Sequence, residues 1–211
     1  MRALPDWITR NGVIVGLQGG QTQVTQNYNI LKDNGVPMAA VWLQDWVGTL
    51  EFPEGIRLEW NWKLNRYWYP GWELMTANWR SDGVKPMVYI NPYFANLTDP
   101  LITRNLFKEG QQLGYFIKNS TGDIYLIKSV SIEFAIVDLT NPRARTWMKN
   151  IIKDNLIGEA GAFGWMLDFG EYTPFDVVLY SKEDPVRYHN RYPMEWARLN
   201  REVEDEVENG D

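Results

Sequence analysis

The chain has 211 residues, 45% of them hydrophobic and 23% charged, with a formal net charge of −6 at pH 7. This length and composition suit one globular domain, or at most two, with a sizeable core, and argue against general disorder. The acidic balance and scattered basic residues exclude nucleic acid as the main partner, the absence of cysteine excludes disulfides and thiolate metal sites, and a single histidine, His189, excludes a multi-histidine metal centre.

The opening MRALPDWITRNG lacks the apolar core of a signal peptide, and no run in the chain reaches the roughly eighteen apolar residues of a membrane span. The sequence carries no address, and the cytoplasm is the default reading. Val13 to Leu17 predicts a first strand, and Val24, Tyr28 and Leu31, recurring at helical spacing until Gly35, predict the helix after it. Met38 to Leu43 predicts a second strand; beyond an aromatic excursion, Trp72, Met75 and Trp79 predict a second helix ending near Gly83. Met87 to Ile90 is a third strand, closed by Asn91 and Pro92.

A long insertion follows, in which residues 115–117 and 124–127 flank Asn119-Ser120-Thr121-Gly122-Asp123, a hairpin signal. The third helix carries Ala144, Met148, Ile151 and Ile152 on one face, with Asn141 as its cap and Pro142 in its first turn. Ala162 to Leu167 reads as a fourth strand, and its continuous apolar run predicts cover on both faces. Trp196, Leu199, Val203 and Val207 mark a last helix, whose acidic end is predicted to be solvated. Four strand-helix alternations predict a parallel sheet with helices outside, half of an eight-unit barrel.

In parallel strand-helix folds a ligand lies at the carboxyl ends of the strands. Here those ends offer Gln18, then Gln44 and Asp45, then Asn91, and finally Asp168 followed by Phe169, Gly170, Glu171 and Tyr172. Amides both donate and accept, which suits sugar hydroxyls, and the tryptophans at 42, 46, 60, 62, 68, 72 and 79 offer faces on which sugar rings stack. A carboxylate at such a mouth can attack an anomeric carbon and form a covalent glycosyl intermediate. A second carboxyl group must then stand about 5 Å away across the scissile bond. Glu171, Asp176, Asp45 and Glu59 are available, but Glu171 shares a loop with Asp168, and for the others a structural hydrogen bond is the simpler role.

The stretch GWMLDFGEY, residues 164–172, resembles the nucleophile motif of glycoside hydrolase family 31, the retaining α-glycosidases, and more closely its sulfoquinovosidase-like branch. GLQGG, VWLQDW, RLEWNWKLN, YINPY, VDLTNP and HNRYP resemble segments of that branch in the same order, over nearly the whole chain. The resemblance implies a partial (β/α)8 TIM barrel, roughly its first four strand-helix units. It also implies Asp168 as nucleophile, Glu171 in support, sugar contacts from Gln18, Gln44 and Asp45, and a sulfonate pocket at Arg57 and Trp60. No cofactor and no metal are implied; the partner is a sulfonated or neutral α-glycoside. The alternatives are a general α-glucosidase with Arg57 structural, in a charged hairpin beside Glu51, Glu54 and Glu59, and a non-catalytic sugar- or partner-binding fragment. The family's acid/base aspartate, its amino-terminal β-sandwich and the second half of its barrel have no counterpart in residues 1–211. Half a barrel is expected to be poorly stable by itself.

Overall fold

The computed structural model describes residues 4–97, 102–129 and 131–208. After a short helix α1 (Asp6–Arg10), three strand-helix units follow in order, and a fourth closes the chain. They are β1 (Val13–Leu17) with α2 (Gly20–Asp33), β2 (Met38–Leu43) with α3 (Trp72–Ser81), and β5 (Lys85–Ile90) with α5 (Pro142–Ile151). The last is β9 (Gly164–Leu167) with α6 (Pro185–His189) and α7 (Tyr192–Glu208).

The four strands form one parallel sheet in the order β1-β2-β5-β9. Two excursions interrupt the alternation. The hairpin of β3 (Thr49–Phe52) and β4 (Gly55–Leu58) follows β2. An antiparallel sheet of β6 (Tyr93–Ala95), β8 (Ile132–Ile136) and β7 (Ile127–Ser129), in the order β6-β8-β7, follows β5 together with helix α4 (Leu106–Leu113).

The local chemistry explains the main elements. Val24 and Tyr28 of α2, one helical turn apart, are buried, and the chain leaves that helix through Gly35 in the left-handed region, φ 69°. Asn141 caps α5 by accepting from the Arg143 amide at 3.0 Å, with Pro142 at the first helical position. Beyond Ile151 the helix widens into a π-helical stretch, Ile152–Glu159, where the Asn155 side chain donates to the Trp62 carbonyl at 2.7 Å and Glu159 pairs with Lys63. This stretch is thereby tied to the excursion that follows β2.

Parallel register aligns Gly16 with Trp42, Trp42 with Met87, and Met87 with Gly164. Alternation then divides the sheet. Val41, Leu43, Val88 and Ile90 are buried on the helix side, whereas Gly16, Trp42, Met87, Tyr89 and Met166 share the other face, the inner face of a barrel. The predicted cover on both faces of the fourth strand is not found. β9 forms the sheet edge, and Met166 and Leu167 are 43% and 39% exposed. An apolar run shows that both faces can be buried, but it cannot show that a neighbour strand lies alongside.

Most of the tryptophan cluster serves the core. Trp46, Trp62 and Trp72 are fully buried, and their indole N–H groups donate to the carbonyls of Tyr89, Tyr93 and Ala160 at 2.8, 2.9 and 3.0 Å. Two of those carbonyls flank the exit of β5, so the core pins the backbone there.

The acidic end of α7 is not simply solvated. Glu202 pairs with Arg145 and Lys149, and Glu206 with Lys149 and Lys153, which ties α7 to α5 and its π-helical extension. The expected turn at 119–123 is present, with the Asn119 amide bonded to the Asp123 carbonyl at 2.9 Å. Its arms, however, meet only at the bridge between Lys118 and Ile124, because Ile127 belongs to a different pairing with Phe134.

Candidate active site

Continuing the sheet register by one residue brings Gln18 beside Gln44 and Asn91 beside Asp168, all at the carboxyl ends and on the inner face. The Asp168 amide donates to the Ile90 carbonyl at 3.0 Å, and the Asp168 carbonyl accepts from the Trp196 indole at 3.1 Å. The backbone is therefore held from the sheet on one side and from α7 on the other. Its half-buried carboxylate accepts from the Tyr89 hydroxyl at 2.7 Å. Tyr89 is buried, and burial, with the Asp168 charge adding to it, pushes its phenol well above the ordinary tyrosine value, so it stays a donor at neutral pH.

The next residue, Phe169, has φ 58°, a left-handed conformation that a bulky side chain adopts only where its surroundings hold it there. The holding groups are aromatic. Phe169 stacks on Tyr93 at a centroid distance of 5.6 Å and lies 5.7 Å from Tyr172, while the Tyr93 hydroxyl accepts from the Gly170 amide at 3.0 Å. Glu171 is exposed on the same loop as Asp168.

Gln18 is exposed and Gln44 half-buried, and neither amide has a hydrogen-bond partner among the described residues. Asp45 behaves differently. It is 2% exposed, and its carboxylate accepts from the Gly19 and Gly20 amides at 2.8 and 3.1 Å, the Trp68 indole at 2.8 Å and the Tyr69 hydroxyl at 2.5 Å. With its oxygens so engaged, Asp45 fixes the loop after β1 against the excursion after β2, and a sugar hydroxyl would have to share oxygens that already accept four donors.

Arg57 and Trp60 line one cleft of about 310 Å³ with Leu58, Phe134, Phe169 and Tyr172. Arg57 donates to the carbonyl of its neighbour Ile56 at 2.9 Å and forms no ion pair among the described residues, although Glu51, Glu54 and Glu59 are close in sequence. Glu54 instead accepts from Ser131. The Trp60 ring is seated edge-on against Phe134 at 4.9 Å and beside Phe169 at 6.2 Å, and its indole N–H has no acceptor among the described residues. Arg57 and Trp60, with Lys128, which pairs with Glu133 at 3.0 Å, thus line a mostly apolar cleft whose wall includes the residue after Asp168. A small anion with acceptor oxygens is the complementary ligand.

Sequence reasoning did not single out Tyr89, Phe169 or Tyr172. The signal for Tyr89 was present in the period-two alternation, which sets it on the same face as Asp168 one strand away. The wall from Phe134 was not legible, because β8 reaches the mouth only through its pairing with β6.

The sequence profile described as the glycosyl hydrolases family 31 TIM-barrel domain matches residues 7–210. A sulfoquinovosidase of Escherichia coli (strain K12) is 39% identical over 204 residues, which cover 97% of this chain and 29% of that protein. A sulfoquinovosidase of Agrobacterium fabrum is 34% identical over 198 residues, covering 93% and 28%. Among solved structures, a family 31 sulfoquinovosidase from E. rectale in complex with an aza-sugar inhibitor superposes with a TM-score of 0.89 at 38% identity, over 97% of this chain and 30% of that one. The chain thus spans about three tenths of the length of the relatives it matches.

Proposed function

Because the chain belongs to glycosyl hydrolase family 31, we propose that it carries the nucleophile side of a retaining α-glycosidase acting on α-sulfoquinovosides, with Asp168 as the attacking carboxylate. The observation that supports the substrate is the cleft lined by Arg57 and Trp60, neither of which has a carboxylate partner among the described residues. A sulfonate is permanently anionic and offers acceptors only, which this pair of donors matches. A neutral hydroxymethyl group would leave the guanidinium without an anionic partner, and that difference is the proposed source of discrimination against glucosides.

In this reading an Asp168 oxygen bonds to the anomeric carbon as the bond from that carbon to the aglycone oxygen breaks, and water then releases the sugar with retained configuration. Gln18 and Gln44 offer the sugar hydroxyls their free amides. Glu171 supports the loop of the nucleophile. The described carboxylates suit the acid/base role poorly: Glu171 shares the nucleophile loop, Asp176 accepts from Tyr125 at 3.0 Å, and Asp45 is engaged. The reading takes residues 1–211 as part of a catalytic barrel, with the acid/base on a later barrel strand of a longer polypeptide.

The test is hydrolysis of paired 4-nitrophenyl α-sulfoquinovoside and α-glucoside by the full-length polypeptide in which this chain occurs. The sulfonated substrate is expected to be preferred by about a hundredfold or more in kcat/KM, and Arg57→Ala to remove most of that preference. Equal rates that Arg57→Ala leaves unchanged would make this a general α-glucosidase. No turnover of either substrate would turn attention to a binding role.

A further inference from the structure

We infer that Tyr89 is a positioning residue for Asp168, holding one carboxylate oxygen by a hydrogen bond so that the other is presented to the anomeric carbon. The inference rests on the nucleophile reading above and adds to it a division of labour between the two oxygens. The Tyr89 hydroxyl donates to Asp168 Oδ2 at 2.7 Å, and it accepts from Asn91 Nδ2 at 3.3 Å, so its one proton is directed at the carboxylate. The residue cannot swing away: it is 1% exposed, Trp46 donates to its carbonyl at 2.8 Å, and its ring packs between those of Trp62 and Trp42 at 5.9 and 6.3 Å. Oδ1 has no donor among the described residues and is the oxygen left to attack.

The bond has a different strength on the two sides of the reaction, because a hydrogen bond to a charged carboxylate exceeds one to a neutral ester carbonyl. When Oδ1 bonds to the anomeric carbon and the aglycone departs with its electron pair, the charge at Oδ2 falls and the Tyr89 bond weakens. When water attacks and gives up its proton to the general base, the carbon–Oδ1 bond breaks, its electron pair returns to the carboxylate, and the bond strengthens again. Tyr89 therefore favours breakdown of the ester more than its formation.

The experiment is Tyr89→Phe in the full-length polypeptide with 4-nitrophenyl α-sulfoquinovoside, whose leaving group departs as a phenolate without a proton from the acid. The variant is expected to lose about tenfold in kcat, the size of one hydrogen bond to a charged group, with KM falling alongside so that kcat/KM changes little. A nitrophenol burst should appear, and acid-quenched protein should carry accumulated glycosyl ester. A thermal melt near wild type shows that the fold is intact. Loss of kcat and kcat/KM together without ester accumulation, or no kinetic change, overturns the inference. Ester on Asp168 in both proteins but without accumulation in the variant sinks the Tyr89 inference alone. Ester on another residue removes the nucleophile reading as well.

Discussion

Two aspartates stand just beyond strand ends on the same sheet, and their surroundings are opposite in kind. Asp45, after β2, is buried and accepts from two backbone amides, an indole and a phenol. Asp168, after β9, is half-buried, its backbone is pinned at both ends, and its carboxylate has one phenolic donor. A saturated carboxylate closes loops, whereas one that is fixed in place with spare acceptor capacity can react. Position at a strand end identifies candidates, and counting donors separates them.

The largest effect that would break this contrast is on activity. In the full-length polypeptide, Asp168→Ala is expected to lower hydrolysis of an aryl α-sulfoquinovoside by about four orders of magnitude. The melting temperature should stay close to wild type, because one partner is lost at a half-exposed position. Asp45→Ala should do the reverse in kind. It strands the buried donors of Gly20 and Tyr69 and the partly buried ones of Gly19 and Trp68, and is expected to cost about 3–5 kcal/mol in denaturant unfolding, with any surviving folded fraction still able to form the covalent ester. If Asp45→Ala left stability unchanged and abolished activity, the contrast between the two aspartates would be wrong.

A smaller effect tests the Phe169 turn. Phe169→Gly relieves the positive φ but removes the ring between Tyr93 and Tyr172 and loosens the cleft wall. It is expected to raise KM for the sulfonated substrate several-fold, about 1 kcal/mol of lost wall contact, with a near-neutral effect on stability.

The smallest lies outside the mouth, between α5 and α7. Hydrogen bonds from Lys149 and Lys153 hold the Glu206 carboxyl below the ordinary glutamate value of 4.5; burial raises that of Glu202, but Lys149 and Arg145 outweigh it and hold it low as well. A carboxyl lowered in the folded state contributes stability that is present above its unfolded value and lost as pH falls through the folded one. The melting temperature should therefore drop below about pH 4.5. Glu206→Gln, at a partly exposed pair, should cost about 1 kcal/mol or less at neutral pH and flatten that drop.

How much of this was legible in the sequence follows from the range of the forces involved. The parallel strands were readable because apolar, β-branched runs are local, and α5 because Asn141 and Pro142 mark its start. Helix α4 escaped notice, although Asn105 caps it by accepting from the Lys108 amide and Gly114 ends it in the left-handed region, because it is short and its apolar residues, Leu106, Phe107 and Leu113, are interrupted by an interior Gly110. The π-helical stretch was invisible: its sequence continues the pattern of α5, and the contact that ties it down, Asn155 to Trp62, spans 93 residues of sequence. At the mouth, Asp168, Gln18 and Gln44 were proposed from strand ends and family resemblance together, and their places at the carboxyl ends of the sheet follow from its register. The saturation of Asp45 was not legible, since its donors come from Gly19, Gly20, Trp68 and Tyr69, which only the fold assembles. Tryptophan abundance suggested stacking walls, yet most of the cluster packs the core, because indole combines a large apolar face with one donor that a strand-end carbonyl satisfies.

The central claim is that Asp168 is the residue to which the sugar becomes attached. Full-length protein turning over 4-nitrophenyl α-sulfoquinovoside can be quenched in acid, digested and mapped by mass spectrometry. The account predicts a glycosyl ester on the peptide that contains Asp168, absent from Asp168→Ala. An ester on a different carboxylate, or turnover with inverted configuration and no covalent adduct, would contradict it.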